Sequence, residues 1–152
     1  MNLNFAFAVS TQNTIESQHF GDADKFLLFE LGEKGWISTG EIINPFKGHH
    51  GHHGSQGHEA GHGHGRKADS IIALLKGKGV QVVVSRQFGP NIRRICEHFM
   101  PVLVTDSSIL AASSKIADRQ EEIESEWKGN PGKHNIIRIM KDRVLSIPLK
   151  EE

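Results

Sequence analysis

Apolar positions alternate from Leu3 through Phe5 and Phe7 to Val9 and give way to the polar stretch Ser10 to Asn13. That is the pattern of a strand with a buried face, followed by a loop. Phe26 to Leu31 is a second apolar run and Trp36 to Ile43 a third, with Gly32-Glu33-Lys34-Gly35 between them at hairpin spacing. The three segments predict an antiparallel meander. From residue 45 to residue 66 the chain is mostly glycine and histidine with almost no apolar side chain, which predicts a loop inserted within one domain.

Beyond that tract the period changes. Ile71, Ile72, Leu74 and Leu75 fall at helical spacing, with Asp69 placed to cap the start and Gly77 or Gly79 to end the helix. Val80 to Ser85 reads as a strand. Gly89-Pro90 opens a second helix that puts Ile92, Ile95, Cys96 and Phe99 on one face, and Pro101 to Thr105 is another strand. Asp106, Ser107 and Ser108 offer N-caps for a longer helix reaching toward Trp127, which Gly129-Asn130-Pro131-Gly132 must end. Asn135 to Leu149 predicts a hairpin turning at Lys141-Asp142.

The sum is an α/β chain: a mixed five-stranded sheet made of a meander and two helix-strand units, with helices on its faces, in the ribonuclease H-like order. A C-terminal helix and hairpin are added to it. We expect one domain over residues 1–126, carrying the insertion at 45–66, and an extension over 127–152.

Composition narrows the function classes. With 152 residues, 18 basic and 18 acidic side chains, the chain is one domain long and carries no charge excess that would draw it to nucleic acid. No apolar run approaches the ~20 residues of a membrane span. Cys96 is the sole cysteine, so no intramolecular disulfide forms, and the first residues lead into a strand pattern instead of a signal peptide. A cytoplasmic location is expected. Strand one supplies no carboxylate for the divalent ions of a ribonuclease H-like nuclease, and phosphate-loop and nucleophile-elbow motifs are missing, so no enzyme is expected.

Phe5-Ala6-Phe7-Ala8-Val9-Ser10, then Ile15 to His19-Phe20-Gly21, Ala23 and Phe26 to Phe29, resemble the opening of the nitrogenase iron-molybdenum cofactor accessory family, which includes NifX and the C-terminal part of NifB. Further matches are Ala68 to Val84, Gly89-Pro90-Asn91 and Val102 to Val104. The resemblance runs from about Asn2 to Ala117 and implies a ribonuclease H-like domain that binds the iron-molybdenum cofactor, its precursors or a related metal-sulfur cluster. Other cluster-assembly proteins would then be its partners. The chain departs from the family where Ser85-Arg86-Gln87-Phe88 replace small residues and glycines, and again beyond Trp127.

The candidate chemistry is histidine. Ten are present, seven of them between His49 and His64. His19 follows strand one, near the carboxyl end where ligand crevices of open α/β sheets lie, and an imidazole there is a ligand for iron or another transition metal. The alternative is a histidine that packs the turn before Phe20, itself expected to be a core anchor. Gly21 is expected to serve the backbone, through a positive dihedral or close approach of another group. Gly89 and Asn91 complete the expected cofactor-binding set at the start of the second helix. There Arg86, Arg93 and Arg94 form either a basic rim for an anionic cluster or an ordinary solvated face. His49, His50, His52, His53, His58, His62 and His64, spaced by glycines, predict divalent-metal affinity without selectivity. Cys96 is expected to be buried packing.

Three functions remain open: a non-enzymatic cluster carrier, a histidine-rich zinc, nickel or copper buffer or metallochaperone, and a regulatory protein-interaction module.

Overall fold

The computed structural model describes residues 2–46, 60–140 and 143–148, with the backbone alone for 60–66. Its strands are β1 (Leu3–Val9), β2 (Lys25–Gly32), β3 (Gly35–Ile43), β4 (Val82–Ser85), β5 (Met100–Leu103), β6 (Ile136–Ile139) and β7 (Val144–Ile147). Its helices are α1 (Ala60–Lys76), α2 (Ile92–Cys96), α3 (Ile109–Asp118) and α4 (Gln120–Gly129), with a 3-10 turn at Phe20–Asp22. All seven strands form one mixed sheet in the order β3-β2-β1-β4-β5-β6-β7. β1 is antiparallel to β2 and parallel to β4, β5 runs parallel to β4 and β6, and β6 and β7 form an antiparallel hairpin.

Period-two patterning places the core on both faces. Phe5, Phe7 and Val9 point to one side of β1, where Val82, Val84 and Val102 meet Ala112, Ile116 and Ile123 of α3 and α4. Ala6, Ala8 and Val83 point to the other, where they meet Ile71, Ile72 and Leu75 of α1 and Ile95 and Phe99 of the α2 segment. Each fully buried phenylalanine contributes roughly 1.5–3 kcal/mol. β1 and β4, apolar on both faces, therefore sit mid-sheet.

Four expectations are corrected. The sheet has seven strands, not five, because the C-terminal hairpin pairs through β6 with β5 and continues the sheet. The helix expected to run unbroken toward Trp127 is two helices with a break at Arg119, whose φ of −116° and ψ of 24° are not helical. The break lets Ile116 and Ile123 both reach the same sheet face. The last part of the loop expected at 45–66 is helix, since α1 covers residues 60–66, so His62 and His64 lie on helical backbone. Extending a docked helix costs far less than nucleating one, which lets it run into poor helix formers. Asp69 consequently lies inside α1 and caps nothing; its carboxylate accepts from Arg94 Nη1 at 2.7 Å.

The end of α1 follows the expected rule, with Gly79 at φ +77° and Val80 N donating to Leu75 O at 3.2 Å. Ser108 caps α3, accepting from Ala111 N at 3.2 Å. The turn expected at Lys141-Asp142 lies outside the described residues.

Candidate functional site

The parallel strands β1 and β4 end side by side, and the segments that leave them build a cleft of about 360 Å³. One wall is the turn His19–Asp22, the other the stretch Gly89–Asn91 that leads into α2, and α1 lies across the bottom with Lys67, Ala68, Ile71 and Ile72. His19, Gly21, Gly89 and Asn91 thus meet at one cleft although up to 72 positions separate them in the chain. The exposed ring of His19 stands at the start of the 3-10 turn, while Phe20 beside it is buried against Phe26 and Phe88.

A bare backbone is required at Gly89, where none was expected, and not at Gly21, where it was. A Cβ on Gly89 would come within 2.9 Å of His19 Nδ1 and 3.1 Å of its Cγ, so the bare backbone is what admits the imidazole. A Cβ on Gly21 would meet Ile71 Cδ1 at 3.6 Å, an ordinary contact, and Gly21 has no positive φ. The expectation of a backbone requirement at Gly21 is therefore corrected.

The turn that carries His19 is braced on two sides. Phe20 N donates to Gln87 O at 3.0 Å, and the Ser85 hydroxyl donates to the same carbonyl at 3.0 Å. The bulky Ser85-Arg86-Gln87-Phe88 segment hence supports the His19 turn from behind and leaves the cleft open. Asn44, buried just after β3, donates through Nδ2 to Gly21 O at 3.1 Å and Ala23 O at 2.8 Å, and its Oδ1 accepts from Phe46 N at 2.9 Å.

Among the described lining residues, charge is carried by the ion pair of Lys67 Nζ with Asp22 Oδ1, whose side chains are 12% and 27% exposed. None of Arg86, Arg93 and Arg94 is among the lining residues. Arg94 is raised above its ordinary pKa by its hydrogen bond and charge interaction with Asp69. α2 has only five residues, too few to add the field of a helix terminus to these side chains. Cys96 is buried, and desolvation pushes its thiol up to about 12, which suits packing and not ligation.

Lys67, Asp22 and Asn44 escaped sequence reasoning. Lys67 carried a signal, since it lies one helical turn before Ile71 on the face that α1 buries. Asn44 carried none, because its partners are backbone carbonyls more than 20 residues away.

Of the histidine tract, His49, His50, His52, His53 and His58 lie outside the described residues, and for His62 and His64 only the helical backbone is described. Among the described residues no group of three or more His, Cys, Asp or Glu side chains stands close enough to hold a metal ion. A bare transition-metal ion in a structural site takes about four protein donors. A metal-sulfur cluster arrives with its own sulfide ligands and leaves few positions for the protein to fill. A cleft whose described lining offers the one imidazole of His19 fits the second.

The architecture is thus that of a small α/β domain with a ligand-sized cleft at the carboxyl ends of two parallel strands. The chain belongs to the dinitrogenase iron-molybdenum cofactor family, whose model matches residues 1–113, three quarters of the chain and every wall of the cleft. No curated protein matches it. No described helix is long and apolar enough to cross a membrane.

Proposed function

We infer that this protein is a non-enzymatic carrier of a metal-sulfur cluster of the iron-molybdenum type, taken up in the cleft and passed on during cofactor assembly. The observation that carries the reading is the convergence of His19, Gly21, Gly89 and Asn91 on one cleft. His19 supplies the metal ligand. Its Nδ1 side packs against Gly89, and Nε2 is the nitrogen this reading assigns to the cargo. The wall at Gly89 to Asn91 bounds the cluster, and the apolar bottom formed by Ile71 and Ile72 accepts sulfides, which are weak hydrogen-bond acceptors. Cluster transfer calls for a shallow, single-ligand site, because a cargo held by several protein ligands leaves slowly.

The same reading takes the core as ribonuclease H-like, supported by the β3-β2-β1-β4-β5 order of its first five strands. It takes residues 1–126 as the cluster-binding unit, 127–152 as an extension, a cytoplasmic location, and cluster-assembly proteins as partners.

The histidine tract supports a second reading on composition alone, a divalent-metal buffer. Untagged protein purified without oxygen and assayed for metals and sulfide separates the two. A parallel variant replaces the seven histidines by asparagine; a deletion would cut into α1. Iron or molybdenum with sulfide in both samples supports the carrier. Zinc, nickel or copper lost with the histidines overturns it in favour of the buffer, and no metal in either sample overturns both.

A further inference from the structure

Among the described residues that line the cleft the charged side chains are Lys67 and Asp22, in contact with each other and set among neighbours that are mostly apolar. An anionic cargo entering this cleft meets an attraction and a repulsion of similar size within a few ångströms. In a poorly solvated cleft neither is screened as it would be in bulk water.

We propose that Lys67 is the counter-charge for an anionic cargo and that Asp22 is the group that limits its residence, so that the pair sets how readily the site releases what it binds. The proposal rests on the carrier reading above and adds to it the charge of the cargo and the control of its release. The geometry supports both roles. Lys67 reaches the cleft from α1, a rigid element anchored by Ile71, Ile72 and Leu75. Asp22 sits in the 3-10 turn three residues after His19, the side chain that would hold the metal. An ammonium has three donors, so Lys67 can keep Asp22 and still turn another N–H to the cargo. The carboxylate has no donor to offer an anion, and Lys67 is one of the groups that keep it beside the ligand. Without Asp22, the lysine would grip an anion harder and let it go more slowly.

The test exploits a difference in sign. If the pair were merely structural, removing either partner would loosen the same wall and weaken binding in both cases. If the pair sets the charge of the site, the two removals act in opposite directions.

The probe is the tetrathiomolybdate dianion, whose visible absorption reports retention during dialysis of the full-length protein. Asp22→Asn should retain it about ten times more tightly than wild type, and Lys67→Gln about ten times less tightly, with both differences shrinking as salt is raised. Asp22→Glu, which keeps the charge, should stay near wild type. Equal weakening in Asp22→Asn and Lys67→Gln, or no change in either, overturns the proposal. His19→Ala is read alongside. If it alone lowers retention, the carrier reading stands and the charge proposal falls. If wild type retains none, the carrier reading falls, and the charge proposal stands only if Asp22→Asn gains binding.

Discussion

Replacing Gly89 by alanine separates binding from folding. Gly89 has no positive φ, so its backbone accepts alanine without strain. The methyl group, however, lands 2.9 Å from His19 Nδ1 and 3.1 Å from Cγ, where ordinary contact begins near 3.4 Å. The ring must therefore move by roughly half an ångström or rotate away. His19 is exposed and can rotate, so the free protein relaxes at little cost. Gly→Ala also removes freedom from the unfolded chain, worth about 0.4–1 kcal/mol in favour of the fold. Thermal stability should stay within a degree or two of wild type or rise slightly. The cargo, by contrast, needs the ring where it was. Holding it about 30° off its rotamer costs about 0.5–1.5 kcal/mol, which is roughly twofold to tenfold in affinity. Cluster retention by anaerobic dialysis, with Tm by circular dichroism on the same samples, checks both halves. Unchanged retention would refute the packing argument, and a large fall in Tm would show that Gly89 serves the fold instead.

Other outcomes follow from the same contacts. Asn44→Ala strands two backbone carbonyls and one N–H beside the His19 turn, and should cost about 1–3 kcal/mol in urea unfolding while also weakening retention. His134 is buried, stacked on Trp127 at 4.3 Å, with no partner for Nδ1 among the described residues, and burial lowers its pKa from 6.5. Because the folded value lies below the unfolded one, its contribution to stability is present above about pH 6.5 and is lost as pH falls through the lowered value. His134→Phe should flatten the decline of Tm between pH 7 and pH 5, and an unchanged slope would remove His134 as its cause. Cys96, pushed up to about 12 and buried, should resist a thiol reagent at pH 8 in the native protein and react fully in denaturant.

What could be read from the sequence was what local patterning determines. β1, β2, β3 and the Gly32–Gly35 hairpin follow from period-two alternation and turn residues, and each lies within two residues of its expected bounds. The break at Arg119 was hidden because no glycine or proline marks it; the chain turns there so that two helices can each bury an isoleucine on one sheet face. The parallel pairing of β5 with β6 is a contact between distant segments, and no residue in either strand names its partner. The site divides in the same way. His19 and Gly89 were visible as members of short motifs. The Asp22–Lys67 pair and the Asn44 brace exist only once α1 and the end of β3 close on the turn.

The central claim is that His19 is the protein's ligand to a cleft-bound cluster. Pulsed electron paramagnetic resonance of the cluster-loaded protein, in a paramagnetic redox state, reads it directly. The account predicts coupling from an imidazole nitrogen in wild type that disappears in His19→Ala while the fold, by circular dichroism, is unchanged. The same nitrogen coupling in both proteins would contradict it.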